Sequence, residues 1–273
     1  MEYIFIMREL DEIIDGEELI TNKDVTVHKR IDIVEDEKSI RFNAELDMIF
    51  DEEKEEISLY KKINNAFKEI ELDKNTKEII NINEIVKNWR DFRNNLLYDT
   101  STSAETMDIL IAISRHFENT ELLKYALNYC GVIPYFLNIN LIDFNANNNA
   151  KRELKLYNLL SDGAMVYDTQ YIVSESYVGD KKEYEFTFSG KGETEEGAPS
   201  LAKEIHHIIE LPEDKQFFVS SEIRGKYLFL DGFEKLYVEI KFLVEQMKNL
   251  KKFKFAEKTL TINLEKNNRN FIV

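Results

Sequence analysis

Apolar and polar residues alternate most clearly in the first fifth of the chain. Val25, Val27, Ile31 and Ile33 share one face, broken at Lys29, and after Glu35-Asp36-Glu37-Lys38 the residues Ile40, Phe42, Ala44, Leu46, Met48 and Phe50 share one face. Arg41, Asn43, Glu45 and Asp47 fall on the other side, so the period of two predicts an antiparallel hairpin with one buried and one solvated face. From 57 to 72 the pattern is mixed: Ile57, Tyr60, Ile63, Phe67 and Ile70 step by three or four, yet the segment runs into the turn-rich Asp73-Lys74-Asn75-Thr76. A second hairpin is expected there, returning over 78–82, with Asn83 capping the helix that follows.

The period then lengthens. Ile85, Trp89, Phe92 and Leu96 form a helical stripe that other structure must cover, which makes Trp89 a core residue. Thr102-Ser103-Ala104-Glu105 reads as a capping box opening a helix over about 103–117. A third helix, about 120–129, ends at Gly131 with Pro134 beyond it. Leu154, Leu156, Tyr157, Leu159 and Leu160 suggest one more short helix, stopped at Gly163.

Alternation returns after that. Met165, Tyr167, Thr169, Tyr171 and Val173 share a face, Gly179-Asp180 supplies a turn, and Tyr184, Phe186 and Phe188 share a face opposite Glu183, Glu185 and Thr187. Gly190 to Pro199 reads as a loop, and Pro199 is placed to start a short helix ending near Glu210. Strands are expected at 216–222, 225–231, 234–246 and 258–264.

The order of strands, helices and strands predicts an α+β fold: an antiparallel, curved sheet packed on a central helical block from Asn83 to Leu160. With three prolines, nine glycines and no linker-like stretch, one domain is expected. The asparagine-rich run Asn145-Ala146-Asn147-Asn148-Asn149 gives a weak boundary signal near 145–150. In its element order the chain resembles the half-barrel carriers of hydrophobic ligands typified by the lipoprotein chaperone LolA. That resemblance implies a sheet cupping helices over an apolar cavity.

Composition narrows the function classes. A hydrophobic fraction of 43% over 273 residues is ample for a packed core, and Cys130, the single cysteine, permits no internal disulfide, as expected of a cytoplasmic protein. The N-terminal apolar run is too short for a signal peptide, and no stretch approaches the roughly 20 apolar residues of a membrane span. Fifty-two acids against 36 bases give a net charge of −16, which disfavours nucleic acid and anionic membranes as partners.

No catalytic motif emerges. His206-His207 is the one histidine pair, but adjacent helical residues point about 100° apart, and only Glu210 stands at a useful spacing, so neither a metal nor a cofactor is expected. Cys130, at a helix C-terminus, is expected to be a small buried side chain rather than a reactive thiolate. Gly190-Lys191-Gly192-Glu193 lacks the third glycine of a dinucleotide loop. Acidic runs such as Asp51-Glu52-Glu53-Lys54-Glu55-Glu56 and Glu193-Thr194-Glu195-Glu196 read as solvated segments, or as docking points for a basic partner. The C-terminal strands are crowded with aromatics, and Tyr167, Tyr171, Tyr184, Phe186, Phe188, Tyr227 and Phe229 are the candidate ligand or partner surface, although an ordinary strand core accounts for the same residues. The expected function is a non-catalytic binding protein, an acidic intracellular inhibitor or immunity-type protein in its favoured form. A carrier of an apolar small molecule held between sheet and helices is the alternative, and an enzyme of unrecognised family a further one.

Overall fold

The computed structural model describes residues 1–15, 18–50, 63–64, 66–98, 103–128, 132–140, 149–157, 164–194, 217–230, 232–248 and 251–267. Strands dominate. They are β1 (Glu2–Asp15), β2 (Glu18–Glu35), β3 (Ser39–Phe50), β4 (Glu69–Asp73), β5 (Asn149–Tyr157), β6 (Ala164–Val178), β7 (Lys181–Thr194), β8 (Phe217–Leu230), β9 (Phe233–Lys248) and β10 (Lys251–Lys266). Helices of eight residues or more among the described residues are α1 (Ile82–Leu97), α2 (Ala104–Phe117), α3 (Thr120–Asn128) and α4 (Ile133–Asn140). The strands hydrogen-bond in the order β4-β3-β2-β1-β10-β9-β8-β7-β6-β5 as one antiparallel sheet that does not close. The expected antiparallel sheet is therefore present; the fold is mostly strand, and the stretch from Asn83 to Leu160 expected as a helical block is matched only loosely, since it includes strand β5.

Two compact units divide the chain. The first comprises Met1–Ile4, Val27–Asn128 and Asn267–Val273, the second Phe5–Thr26 and Tyr129–Lys266.

In the first unit the expected hairpin forms. Val27, Ile31 and Ile33 of β2 and Ile40 and Phe42 of β3 are buried, and Lys29, the break in the apolar face, donates to Asn64 Oδ1 at 2.8 Å. Asp36 fastens the turn by accepting from the amides of Lys38 (2.8 Å) and Ser39 (2.7 Å). These bonds hold its carboxyl below the usual carboxylate range. β4 pairs with β3, Ile40 opposite Leu72 and Phe42 opposite Ile70. The expected return strand over 78–82 reduces to one bridge, Leu72 to Ile79, because α1 already begins at Ile82. Its N-cap is Asn81, not Asn83, and the Asn81 side chain serves β4 instead, accepting from the Glu71 amide at 2.9 Å and donating to the Glu69 carbonyl at 3.1 Å. Residues 57–62 and 65 of the ambiguous segment lie outside the described residues.

The helical stripe behaves as its period predicts. Trp89 is fully buried with Leu110 and Ala66, and its ring meets Phe117 edge-on at 5.0 Å, with Phe67 and Phe92 each at 5.6 Å. α2 starts one residue later than the capping box implied: Ser103 is the N-cap and accepts from the Thr106 amide at 3.2 Å. Thr102 lies outside the described residues.

The second unit holds the main corrections. Residues 149–157 form strand β5, not part of a short helix; Leu154 and Leu156 are buried while Glu153 is exposed, and pairing with β6 along the whole of β5 fixes the period of two. Pro134, expected only to follow a stopped helix, sits in the first turn of α4, where its missing N–H costs nothing. The segments expected as two strands, 216–222 and 225–231, are one strand, β8. β7 runs through Gly190 to Thr194, the start of the expected loop, for reasons given below. The expected helix from Pro199 to Glu210, with His206 and His207, lies outside the described residues, as does Cys130.

Candidate functional site

The long strands β6 to β9 place odd- and even-numbered positions on opposite faces, and their registers assemble residues distant in sequence into cross-strand rows. On one face the row Tyr171–Phe188–Gly225–Val238 crosses four strands, and the row Tyr167–Gly192–Ser221–Phe242 lies parallel to it with Thr169–Gly190–Ile223–Ile240 between them. The glycines make these rows possible. A Cβ on Gly192 would stand 2.3 Å from the Tyr167 ring, and one on Gly225 would stand 2.3 Å from the Phe188 ring. Each aromatic thus lies flat over the glycine of the neighbouring strand, the close approach for which a strand accepts glycine. With its ring over Gly192, Tyr167 places its hydroxyl 2.7 Å from Ser221 Oγ.

Five of the seven aromatics named from the sequence, Tyr167, Tyr171, Phe186, Phe188 and Tyr227, are buried on this face. Tyr184 and Phe229 are half-buried at its margin. Six of the seven make ring contacts with one another: Tyr171 stacks on Phe188 at 5.1 Å, Phe188 tilts against Tyr227 at 5.4 Å, Phe186 meets Phe229 edge-on at 5.5 Å and Tyr184 stacks on Phe186 at 6.5 Å, while Tyr167 lies over Gly192. α4 supplies part of the cover, since the Tyr227 hydroxyl donates to the Tyr135 carbonyl at 3.0 Å and Phe136 lies 4.9 Å from Phe233. Burial dominates the chemistry of the phenols, pushing Tyr171 up to about 12 and raising Tyr167 and Tyr227 well above the usual phenol range. None of them ionises at neutral pH.

The opposite face carries a groove of about 970 Å³. Its floor is the row Asp168–Lys191–Glu222–Lys241, β6 to β9, which Glu153 of β5 extends, and beside it the row Lys151–Gln170–Ser189–Arg224–Glu239. Opposite charges stand directly across strands at Asp168/Lys191, Lys191/Glu222 and Glu222/Lys241, the arrangement that favours a sheet pair over like charges. At the β8–β9 end, Glu239 is almost wholly buried, with Arg224 at 2.7 Å, the Tyr237 hydroxyl donating to it at 3.1 Å and Lys241 at 3.7 Å. Burial alone would raise its carboxyl, but these partners outweigh burial and hold it below the usual range. Lys241 also reaches Glu257 at 3.3 Å.

The lining holds five bases, Lys151, Arg152, Lys191, Arg224 and Lys241, and four acids, Glu153, Asp168, Glu222 and Glu239. On a chain of net charge −16 a patch with a base in excess is distinct from the average surface. Sequence reasoning missed it because its residues come from five strands, and only register unites them.

Among the described residues no group of three or more His, Cys, Asp or Glu is placed to hold a metal ion, and no helix is long and apolar enough to cross a membrane. No known protein family matches the chain. No curated protein matches it either. Among solved structures the chain matches lipovitellin, in a structure described as "Lipid-protein interactions in lipovitellin", at a TM-score of 0.46 and 10% identity over 97% of this chain and 24% of that one. The chain thus spans about a quarter of the lipovitellin chain it matches.

Proposed function

We propose that this is a non-catalytic binding protein that docks a partner protein on the polar face of β5 to β9. The observation that carries the reading is the groove: rows of charged and hydrogen-bonding side chains held in register by five strands, continuous over about 970 Å³. Side chains anchored on strands lose little further freedom on binding, so a complementary surface gains their interactions at low entropic cost. Charge arranged in fixed alternation selects partners and speeds encounter more than it adds raw affinity. The strongly acidic remainder of the chain supports a partner with a basic surface around an acidic contact, as an intracellular inhibitor would require. The opposite, aromatic face supports the same choice over a small-molecule carrier, because its rings pack on one another and under α4.

The test is affinity capture from native lysate with three proteins side by side: wild type, Lys191→Glu with Arg224→Glu, and a charge reversal outside the groove, Lys87→Glu. A partner retained by wild type and Lys87→Glu, and lost by the groove variant at equal thermal stability, is the expected result. Identical capture by all three overturns the reading.

A further inference from the structure

β6 is longer than the strand beside it. β5 pairs with β6 only as far as Ile172, opposite Asn149, whereas β6 continues to Val178 in unbroken pairing with β7, Tyr177 opposite Lys182 and Val178 opposite Lys181. Over Val173–Val178, β6 therefore has a strand neighbour on one side only among the described residues. The direction of the backbone groups follows from one bond. Thr169 Oγ1 donates to the Arg152 carbonyl at 2.6 Å across the β5–β6 pair, so at this pair the main-chain groups face each other. Alternation then points the N–H and C=O of Val173, Glu175 and Tyr177 to the side that β5 has vacated.

The segment is exposed from Ser174 to Val178, and three large apolar residues stand in solvent there: Ile172 at 53%, Tyr177 at 72% and Val178 at 52% exposure. Exposed apolar side chains on a strand with unsatisfied main-chain groups mark a place where another strand adds. The first unit manages its own end strand differently. On β4 the outward groups are closed within the chain: the Asp73 amide donates to the Glu78 carbonyl at 2.8 Å, the Ile80 amide to the Glu71 carbonyl at 2.9 Å, and Asn81 bonds both Glu71 and Glu69. Nothing equivalent closes Val173, Glu175 or Tyr177 among the described residues.

The tip itself is rigidly built. Gly179 alone of the two loop residues has positive φ, 64°, as a two-residue II′ turn requires. Lys182 pairs with Glu175 at 2.8 Å and lies 4.7 Å above the Tyr184 ring, and Ser176 donates to Glu183 at 2.9 Å. Acids outnumber bases around it, Glu175, Asp180 and Glu183 against Lys181 and Lys182.

We propose that the open edge of β6 over Val173–Val178 receives an extended segment of a partner protein as an added strand, apolar and β-branched at alternate positions with lysine or arginine between them. Three outward residues give three donors and three acceptors, and six residues span about 20 Å, enough for a short recognition segment. The apolar positions cover Ile172 and Val178 on one face, and the basic ones lie on the other, beside Glu175 and Tyr177 at the acidic tip. This site is separate from the groove and stands without it.

The probe is the peptide acetyl-Thr-Val-Lys-Val-Lys-Val-Thr-amide, added to the full chain while amide hydrogen exchange is followed by NMR. Exchange at Val173, Glu175 and Tyr177 is expected to slow at least tenfold at millimolar peptide. The same peptide N-methylated on the amides that would face β6 should give no protection. Glu175→Pro removes an outward N–H without touching a β6–β7 bond, so it should abolish protection with the β6–β7 amides still slow. Lys191→Glu with Arg224→Glu should leave protection intact, which separates this site from the groove. Absence of protection in the wild type, or equal protection by the methylated peptide, overturns the proposal.

Discussion

At Gly225 an added side chain meets both a packed ring and the backbone of a neighbouring strand. Gly225 sits in β8 between Phe188 of β7 and Val238 of β9, and its φ is not positive, so a side chain there meets no dihedral strain. What it meets is contact: a Cβ would lie 2.3 and 2.5 Å from two carbons of the Phe188 ring and 2.6 Å from the Tyr237 carbonyl oxygen. The carbonyl is backbone in a central strand. The ring is held by Tyr171 at 5.1 Å and Tyr227 at 5.4 Å, and Phe188 is only 3% exposed. Overpacking of this kind costs about 1–3 kcal/mol, against about 0.4–1 kcal/mol gained by stiffening the unfolded chain. The net expectation for Gly225→Ala is a loss of about 1–2 kcal/mol. For a cooperative unit of this size each kcal/mol lowers Tm by about 2–4 °C. Near-UV circular dichroism in the tyrosine band is weighted to the second unit, which holds Tyr135, Tyr167, Tyr171 and Tyr227 buried, while Trp89 fluorescence follows the first. Adding Phe188→Leu should recover part of the loss, giving a coupling of about 0.5 kcal/mol or more between neighbours. A Gly225→Ala protein as stable as wild type, or one slightly stabilised, would refute the account of the ring over the glycine.

Tyr167→Phe strands the buried Ser221 hydroxyl, 2.7 Å from its present partner, and should cost about 1–3 kcal/mol; Tyr167→Phe with Ser221→Ala should be closer to wild type than Tyr167→Phe alone, and strict additivity in urea melts would count against the bond. Glu239 has a folded-state carboxyl below its unfolded value of about 4.3, so its contribution is present above that value and fades as pH falls through the lower folded value. The Tm difference between wild type and Glu239→Gln should therefore be largest near neutrality and shrink on acidification toward pH 3; a difference independent of pH would show that Arg224, Tyr237 and Lys241 do not hold the charged form.

Local pattern carried the elements whose two faces differ. The β2–β3 hairpin announced itself because Ile40 and Phe42 are buried while Arg41 is exposed, and the Trp89 stripe because one side of α1 is wet. β1 gave no such contrast: Tyr3 and Phe5 are buried, but Ile4 and Ile6 between them are half-buried, which flattens the alternation. β5 was misread because Leu154, Leu156, Leu159 and Leu160 fit helix and strand spacing alike, and the choice is made by hydrogen bonds to β6. Gly190 and Gly192 read as part of a loop, and Gly225 as the start of a strand. In three dimensions they are the positions where a backbone or a ring from the next strand needs the space of a Cβ.

The same limit governs function. The aromatics that stood out in sequence did so because strands bury large rings, and burial is where the structure places most of them. The groove residues have no local signature: Lys151, Asp168, Lys191, Arg224 and Lys241 look like ordinary charges on amphipathic strands, and a net charge of −16 hides a region where bases are in slight excess. The open edge of β6 is less legible still, since it arises from a difference in length between two strands, nine residues against 15. Alternation tells which side chains face solvent; register and strand length decide which of them face each other and which main-chain groups are left over. Those leftover groups, with Tyr177 and Val178 beside them, are what a partner strand can use.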